Sequence, residues 1–537
     1  MKNMNVTSKG WACLAVHSSA EKFQNKKPNQ NIFAFIRAHW RFLFLLSFSL
    51  AMGLLLPFSY APYDQFWLVF PLLGGLFFLM QSQTARRAGW LGWLFGLGWF
   101  AHGIHWIYYS LHYHGGTPLW LVIIILAVLS AYLALFPALA MYLAQKKLNT
   151  SPFVKYSFVL PALWAISEWL RGWLFTGFPW LQIGYTQVDT PLAGYAPLVG
   201  GLGVSFFVAL TAGLLLAMLT LKKKFRTLAM LLLVWCAGWG LLQLQWVENS
   251  GKPLRVALLQ GNVAQSQKWQ YGMREQTMQR YLQMTEASRD NDLIVWPETA
   301  VPDFANQVPE YIQYLRSAAE KNNNDVLFGI FTGERELGVY YNSVVSVRDG
   351  VYKKRHLVPL GEYFPFRELL NYFRQWINIP LSDIAAADFN QTLIKVSGHA
   401  VGVTICFEDA FDRDVIRDVP AANMLINVSN DAWFEDSIEP WQHHQIARMR
   451  ALEAGRYLLR ATNTGVSSVI DNKGRVIAQS PQFQVHVLTA QVQPLQGRTP
   501  YAWWRNYLLM MLLTAGLLLW YQPAWVIRFS QRFQFGK

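Results

Sequence analysis

Long apolar runs separated by short polar loops fill residues 41–246 and recur once near the end of the chain. A helix that crosses a lipid bilayer needs about 20 consecutive, mostly apolar residues. Runs of this kind predict eight transmembrane helices, at residues 42–58, 66–80, 89–111, 119–143, 158–175, 197–221, 228–246 and 506–527. Residues 247–505, between the last two of these helices, form a polar insert whose size suits one domain.

The charges of the connecting loops predict which side of the membrane each loop faces. Basic loops, with Arg86 and Arg87, Lys146 and Lys147, or the run 222–224, alternate with loops that lack Lys and Arg, and both chain ends are basic. Because cytoplasmic loops carry the excess of Lys and Arg, both termini are expected in the cytoplasm and the insert outside. The chain is predicted to begin with a tail, residues 1–40, that lacks the features of a cleaved signal peptide. A seven-helix membrane domain (41–246), an external domain (247–505), an eighth helix (506–527) and a second tail (528–537) follow.

The insert carries two other patterns. Continuous apolar runs, typical of strands buried on both faces, lie at 254–262, 292–298, 325–331, 401–408 and 423–431. Two further runs, at 341–347 and 465–471, indicate strands of a mixed sheet. Helical patterns lie between them, at 273–289, 309–322 and 441–461. Strands that alternate with helices predict a layered α/β domain.

Composition and charge narrow the class of protein. The chain is 53% hydrophobic and only 15% charged, well below the roughly 25% that is typical of soluble proteins. Its formal net charge of +14 lies largely beside the apolar runs, so it indicates membrane topology and not a nucleic-acid partner. Three cysteines are too few and too scattered for a disulfide framework or a metal site of the CxxC kind.

Several apolar runs of the insert end near polar residues that a thiol nucleophile would need. Cys406 ends one run, and Glu298 follows another, where partly apolar surroundings would raise the pKa of its carboxyl and suit it to act as a general base. The stretch "VYKKRHLVPLGE" supplies Lys353, Lys354 and Glu362. An ammonium near the thiol would favour the thiolate and stabilise a tetrahedral oxyanion.

Each of these residues also has an ordinary structural explanation. A cysteine at a strand end is often a small core residue, a glutamate after a proline is often a turn residue, and a Lys-Lys-Arg run is often a solvated surface. Their combination at strand ends favours catalysis, with Cys406 as the nucleophile and the backbone N–H of Phe407 as a second donor to the oxyanion.

Further motifs occur in a recognisable order. They are "WPETAVP" at 296–302, "YNS" at 341–343, "YKKRHLVPLGEYFP" at 352–365, "ICFED" at 405–409, "NVSNDAWF" at 427–434 and "ATNTGVS" at 461–467. In these the insert resembles the nitrilase superfamily. With "EWLRGWLFTGFPWLQIGY" at 168–185, the chain over roughly residues 40–527 resembles the membrane-embedded branch of that superfamily, the bacterial apolipoprotein N-acyltransferases. The resemblance implies eight transmembrane helices and an inserted α-β-β-α sandwich.

The resemblance also implies roles for particular residues. Glu298 matches the general base and Cys406 the nucleophile. The family pattern Tyr-x-Lys-x-x-Leu-Val-Pro makes Lys354, not Lys353, the lysine of the Glu–Lys–Cys triad. Glu362 matches a second glutamate that orients or protonates the site, and Glu408 matches an acidic position beside the nucleophile. A departure, Leu360 where the family usually has Phe, leaves the chemistry unaffected.

The implied reaction is acyl transfer in two half-reactions, without a cofactor or a metal. Cys406 would take an acyl chain from a phospholipid as a thioester, and the α-amino group of a diacylglyceryl-cysteine on an apolipoprotein would then accept it. The implied location is the bacterial inner membrane, with the catalytic domain in the periplasm, and we expect a monomer. Two alternatives stay open: a membrane-anchored amidase that hydrolyses a C–N bond, and a transporter or scaffold whose external domain only binds.

Other residues are interpreted with less specific evidence. Trp269 and Trp433 are expected to contact acyl chains, and the segments 369–380 and 430–441 are candidate flaps that touch the membrane. Glu168 and Arg171 are spaced for an ion pair along one helix, with contact to a lipid headgroup as the alternative. The adjacent residues His443 and His444 would point about 100° apart on a helix and make a poor metal pair.

Overall fold

A computed structural model describes residues 28–146, 150–222, 224–334, 338–363 and 384–520. Helices form most of the part before the insert: α1 Pro28–Leu55, α2 Val69–Leu79, α3 Ala85–Gly103, α4 Leu119–Leu133, α5 Leu135–Gln145, α6 Pro152–Val154, α7 Leu160–Arg171, α8 Ala196–Thr220 and α9 Lys224–Gln243. The insert contributes α10 Met273–Ala287, α11 Pro309–Asn322, α12 Asp412–Ile416 and α13 Glu439–Ala454, and α14 Pro500–Trp520 follows it.

Helices occupy each of the eight predicted membrane segments, but they differ in length. Within the described ranges, five are long and apolar enough to cross a membrane: Trp40–Ser59, Leu119–Gln145, Pro191–Thr220, Lys224–Gln243 and Pro500–Trp520. The apolar helix at Phe66–Leu79 is shorter, so the count of eight spans stays a prediction. Helix α1 begins at Pro28, inside the predicted tail 1–40, and the part of it long and apolar enough to cross a membrane begins at Trp40. Residues 1–27 and 521–537 lie outside the described residues.

The insert contains most of the strands, and they form two six-stranded sheets. The first sheet has the order β13-β2-β3-β4-β5-β6, with bounds His486–Val492, Leu254–Gln260, Leu293–Val295, Asp325–Glu334, Val339–Ser346 and Val351–Lys353. The second has the order β12-β11-β10-β9-β8-β7, with bounds Val476–Gln479, Ser468–Ile470, Leu458–Thr462, Met424–Ser429, His399–Ile405 and Ile394–Val396. A short ladder joins β1 Glu248–Asn249 to β14 Leu495–Gln496. Each predicted strand is therefore confirmed, although the boundaries differ.

Both six-stranded sheets have a parallel centre and antiparallel edges. Strands β2, β3 and β4 are parallel, and so are β8, β9 and β10. These central strands are mostly apolar because the sheets are covered on both faces. One apolar cluster includes Val256 of the first sheet and Val403 of the second, and therefore fills the space between the sheets. Two further clusters pack the first sheet against α10 and α11 and the second against α13.

One predicted helix is wrong in its second half. The pattern at 441–461 predicts a single helix, but α13 ends at Ala454 and Leu458–Thr462 forms strand β10. Gly455 follows the helix with a φ of 61°, in the left-handed region that glycine adopts without strain. This glycine ends the helix, and the apolar residues after it enter the buried centre of the second sheet.

The membrane half and the insert share one core. Ile446, Met449 and Leu452 of α13 belong to the same apolar cluster as Trp164 of α7 and Leu192, which precedes α8. Each apolar side chain of this size stabilises the fold by about 1.5–3 kcal/mol when it is fully buried. The insert is thus packed onto the membrane helices along α13, which also borders the candidate site.

Candidate active site

The ends of three strands meet at one small cavity between the sheets and the membrane half. Glu298 follows β3, Lys354 follows β6 and Cys406 follows β8. All three line a cavity of about 100 Å³, and Glu362 lines it as well. The structure therefore brings together the four residues that the sequence assigns to the chemistry.

The lysine lies between the two glutamates. Lys354 Nζ is 2.8 Å from Glu362 Oε1 and 3.6 Å from Glu298 Oε1, and its side chain is 1% exposed. Asn342, on β5, donates hydrogen bonds to Glu298 Oε1 at 2.7 Å and to Glu362 Oε1 at 3.4 Å. The backbone N–H of Val358 donates to the other oxygen of Glu362 at 2.8 Å. Buried charges are stable in this arrangement because each has a partner of opposite charge and hydrogen bonds.

The protonation of the resting site follows from these contacts. Burial raises the pKa of the Cys406 thiol well above its usual value, and Glu298 raises it further, while Lys354 lowers it less. For Lys354 itself, burial lowers the pKa, but Glu362, Glu298 and Cys406 together raise it above the usual lysine value. The site therefore rests with a neutral thiol beside a charged ammonium. As expected, Lys354 lowers the pKa of the Cys406 thiol, but burial raises that pKa by more.

Close backbone approach fixes the loop that carries Glu298. Gly329 of β4 lies against this loop, and a Cβ atom on it would come within 2.5 Å of the Pro297 carbonyl oxygen and 2.7 Å of Glu298 Cα. Real Cβ atoms do not approach other atoms so closely, so only glycine fits at this position without movement of the loop. The general-base candidate is thus held against the sheet by main-chain packing.

Glu408 joins the turn that contains Cys406 to the segment of β6 and Lys354. The carboxylate is fully buried. It accepts four hydrogen bonds, from the N–H groups of Ile405, Arg355 and His356 and from the Tyr352 hydroxyl, at 2.7, 2.7, 3.0 and 2.8 Å. Burial raises its pKa, and Lys354 and the backbone donors oppose that rise. Glu408 lies outside the cavity lining, so its contacts assign it a supporting position.

The backbone carbonyl of Cys406 is also held by hydrogen-bond partners. Cys406 has a φ of 54°, a strained value for a residue other than glycine. Its carbonyl oxygen lies 3.2 Å from the side-chain amide nitrogen of Asn427 and 3.2 Å from His443 Nε2. The same imidazole nitrogen lies 2.7 Å from Asp409 Oδ1. These two donors hold the backbone of Cys406 in its unusual conformation.

A buried charged cluster stands behind His443. Asp431, Glu439 and His443 offer ligand atoms within 4.8 Å of one another, a spacing that a metal ion could use. Arg460 already contacts Asp431 at 3.1 Å, however, and its positive charge opposes a cation there. Burial and Arg460 lower the pKa of His443, but Asp409 and Asp431 outweigh them and raise it well above the usual value. We therefore interpret the cluster as an ion network around a protonated imidazole. His444 takes a separate partner, Ser468 Oγ at 3.0 Å.

Of the remaining predicted residues, two line the cavity and one lies outside it. Trp269 and Trp433 line the cavity, with Trp269 stacked on Phe331 at 6.0 Å between ring centroids. Phe407 stacks on Trp180 of the membrane half at 6.0 Å and lies outside the cavity lining. Segment 369–380, one of the two candidate flaps, lies outside the described residues.

The other flap packs on the membrane half. Phe434, in the segment 430–441, lies 4.9 Å from Trp106 between ring centroids. The cavity wall there is completed by Ser110, Leu111, Gly115 and Thr117 of the loop between α3 and α4. The membrane half therefore supplies part of the site, which the sequence pattern did not predict.

Two functional candidates in the insert were missed from the sequence. Asn342 lies in the quoted motif "YNS", which was the available signal, but only the structure shows it between the two glutamates. Lys268 is buried at the cavity, where its ammonium donates to the hydroxyl of Thr299 and, at 3.4 Å, to the carbonyl of Glu298. Burial lowers the pKa of Lys268 to about 8, although Glu298 opposes this shift.

Glu168 and Arg171 do not form the predicted ion pair. Arg171 instead donates to the carbonyl oxygens of Phe178, at 2.8 Å, and Trp180. Glu168 Oε1 accepts from Trp164 Nε1 and from the N–H of Ile183, both at 3.0 Å. Both charged side chains form hydrogen bonds with backbone groups of the irregular segment after α7, and such groups need partners inside a membrane protein.

Comparisons with known proteins find related families over most of the chain. Residues 52–214 match the family "apolipoprotein N-acyltransferase N-terminal domain", and residues 255–501 match the carbon-nitrogen hydrolase family. Proteins named apolipoprotein N-acyltransferase are similar over most of their length. The one from Methylococcus capsulatus is 44% identical over 86% of this chain and 92% of its own. Those from Vibrio cholerae and Coxiella burnetii are 38% and 35% identical, over 88% of this chain in both cases and 96% and 98% of their own.

Solved structures are similar to the chain over a smaller part. A carbon-nitrogen hydrolase from Helicobacter pylori is 19% identical, with a TM-score of 0.34, over 45% of this chain and 89% of its own. The NitFhit protein of C. elegans is 15% identical, with a TM-score of 0.35, over 45% of this chain and 61% of its own.

Proposed function

The chain belongs to the apolipoprotein N-acyltransferase family, and we propose that it transfers an acyl chain from a phospholipid to the α-amino group of a diacylglyceryl-cysteine at the N-terminus of an apolipoprotein. The acyl chain would rest on Cys406 as a thioester between the two half-reactions. The observation that carries this proposal is the single cavity lined by Glu298, Lys354, Glu362 and Cys406, with a wall from the membrane half.

In the first half-reaction, the Cys406 sulfur attacks the ester carbonyl carbon of the phospholipid, and Glu298 takes the thiol proton. This transfer is needed because burial keeps the thiol neutral at rest. The ammonium of Lys354 and the backbone N–H of Phe407 stabilise the tetrahedral oxyanion. When the intermediate collapses, the C–O bond breaks, the leaving oxygen takes the proton from Glu298, and a lysophospholipid leaves.

In the second half-reaction, the amine of the acceptor attacks the thioester carbonyl. Glu298 takes a proton from the nitrogen, the C–S bond breaks, and the thiolate of Cys406 takes that proton from Glu298, which restores the thiol and the carboxylate. Glu362 holds Lys354 at 2.8 Å throughout, so the ammonium keeps its position as charge develops beside it. A thioester is reactive enough to acylate an amine, so the side chains named here and the backbone N–H of Phe407 suffice for these steps.

We also propose a membrane topology. We infer eight membrane spans, cytoplasmic termini and a catalytic domain, residues 247–505, in the periplasm of a bacterial inner-membrane protein. Two lipid substrates would account for the attachment of this domain to the membrane. The five long apolar helices and the loop charges support this arrangement. The contacts of both sheets with each other and with their outer helices support the α-β-β-α sandwich.

The first experiment tests the donor half-reaction alone. Purified protein in detergent is incubated with a phospholipid that carries a labelled acyl chain, without an acceptor, and its intact mass is measured. We expect one acyl adduct, sensitive to hydroxylamine, on the wild type and none on Cys406→Ala. Addition of a diacylglyceryl-cysteine peptide should then discharge the adduct as an amide. An adduct and lysophospholipid that are both missing from the wild type would refute the proposal and favour the amidase alternative.

A further inference from the structure

Lys268 lies on the loop after β2, and the mechanism proposed above gives it no step. It is 3% exposed and lines the same cavity as Glu298 and Cys406. Its ammonium donates to the Thr299 hydroxyl and, at 3.4 Å, to the backbone carbonyl of Glu298. An ammonium has three N–H donors, so two of them are engaged with the general-base candidate and the residue after it.

The loop that carries Glu298 has an unusual backbone. Thr299 has a φ of 45°, in the left-handed region that residues other than glycine rarely adopt. Such a conformation persists only where the surrounding structure holds it. The N–H of Gly329 on β4 donates to the carbonyl oxygen of Pro297 at 3.2 Å and holds the start of the loop. Lys268 contacts the next two residues, so it holds the part of the loop where the backbone is strained.

Both ends of Glu298 are fixed, by different groups. Its carboxylate accepts a hydrogen bond from Asn342 at 2.7 Å and lies 3.6 Å from the Lys354 ammonium. Its backbone carbonyl accepts from Lys268, and a charged donor forms a stronger hydrogen bond than a neutral one. Because a misplacement of about 1 Å can cost a reaction about 100-fold in rate, the backbone contact bears on the proton transfer as directly as the side-chain contacts do.

The loop that carries Lys268 is itself held by the second sheet. Asn463, directly after β10, accepts a hydrogen bond from the N–H of Val263 at 3.0 Å and donates one to its carbonyl oxygen at 2.7 Å. The N–H of Lys268 donates to the carbonyl oxygen of Ala264 at 3.1 Å and closes a turn. The lysine therefore reaches the Glu298 loop from a backbone that is fixed in place.

The charge of Lys268 also indicates more than a packing role. Burial lowers its pKa to about 8, and Glu298 opposes this shift. A buried charge is costly unless it is paired and hydrogen-bonded, so a position that only fills space would be occupied at lower cost by an apolar side chain. Buried titratable groups with shifted pKa values cluster at functional sites.

We propose that Lys268 is a positioning residue for the acylation of Cys406: its ammonium holds the backbone of Glu298 and Thr299 and so keeps the carboxylate of the base at the cavity. This inference rests on the proposed function. It gives Lys268 no contact with either lipid, so loss of the ammonium lowers the rate of acylation and leaves the KM for phospholipid unchanged. A residue that acts through Glu298 also costs no more than the loss of the Glu298 carboxylate itself.

The test is a double-mutant cycle on the full-length protein in detergent, with the rate at which labelled phospholipid acylates Cys406 as the readout. Lys268→Met removes the ammonium and should slow acylation at saturating phospholipid at least about tenfold. The same substitution in Glu298→Gln should slow acylation less than about twofold further, because the base through which Lys268 acts is already lost. A lysine with a purely structural role would slow both backgrounds by the same factor.

Two further variants separate positioning from folding. Thr299→Val keeps the ammonium but removes one of its acceptors; it should slow acylation less than Lys268→Met does, and the same cycle with Glu298→Gln decides the question if Lys268→Met unfolds. Lys321→Met, at the exposed end of α11, is the matched control and should react at the wild-type rate.

The outcomes distinguish this inference from the proposed function. Wild-type rates in both Lys268→Met and Thr299→Val would overturn the inference alone, and so would an equal slowing of the wild type and of Glu298→Gln. A wild-type protein that phospholipid does not acylate would refute the proposed function, and the inference with it.

Discussion

Replacement of Glu408 by glutamine tests whether this carboxylate joins the nucleophile to the lysine. Each of its oxygens accepts two of its four hydrogen bonds, one pair from Arg355 and His356 and the other from Tyr352 and Ile405. Glutamine has nearly the same shape but only one acceptor oxygen. In Glu408→Gln, one pair of buried donors must therefore face an NH₂ group.

The magnitude follows from the two lost acceptor contacts. A hydrogen bond to a charged group contributes about 1.5–3 kcal/mol, so the loss of two should cost about 3–6 kcal/mol. In a domain of this size, each kcal/mol lowers the melting temperature by about 2–4 °C. The melting temperature of Glu408→Gln should therefore fall by at least about 6 °C. Tyr352→Phe removes one of the four donors, at 2.8 Å, and should have a smaller effect of the same kind.

The assay combines thermal unfolding with the rate at which labelled phospholipid acylates Cys406. Acylation should fall in both variants at a temperature where they stay folded, because the nucleophile and Lys354 lose their common support. Glu320→Gln, on the exposed side of α11, is the matched control and should change neither quantity. A Glu408→Gln protein with the stability and acylation rate of the wild type would refute the assigned role.

Three further predictions concern the protons and backbone of the site. Glu298→Gln should slow the acylation of Cys406 at least about 100-fold at neutral pH, and alkaline pH should reduce the deficit, because the buried thiol then ionises without a base. Burial lowers the pKa of Lys268 to about 8, so between that value and the ordinary lysine pKa the unfolded chain binds more protons than the folded one. The stability of the wild type relative to Lys268→Met, measured by thermal unfolding, should therefore rise with pH over this window. A difference that stays constant with pH would contradict the shift. His443→Gln weakens a donor to the Cys406 carbonyl, so it should slow acylation about tenfold and leave the KM for phospholipid unchanged. A change in KM alone would contradict a positioning role.

The residues at strand ends could be predicted because their signal is local. An apolar run that stops at Cys406 or before Glu298 marks both a buried strand and the point where it leaves the sheet. The family motif then singled out Lys354 from its neighbour Lys353. The structure agrees with that choice, since the Lys354 ammonium lies at Glu362 and the Lys353 ammonium lies over the ring of Tyr341, 4.4 Å from its centroid.

The supporting contacts could not be predicted because they join distant parts of the chain. Tyr352 and Glu408 are 56 positions apart, and their hydrogen bond depends on how the two sheets meet. The helix predicted through residue 461 failed for a local reason, because the apolar spacing continues past Gly455 although the backbone turns there. The predicted pair of Glu168 and Arg171 failed because backbone groups of an irregular segment competed for both charges.

The contacts of Gln442 explain why the membrane half is more than an anchor. Its side-chain oxygen accepts from Trp106 at 3.1 Å and from Trp180 at 2.7 Å, and its NH₂ group donates to the Gly103 carbonyl at 3.2 Å. The next residue on α13 is His443, which contacts the backbone carbonyl of Cys406. Adjacent residues of α13 therefore contact the membrane half on one side and the backbone of Cys406 on the other. Because a buried polar group that loses its partner is costly, these contacts and the shared apolar cluster favour one fixed arrangement of the membrane half, α13 and the Cys406 backbone.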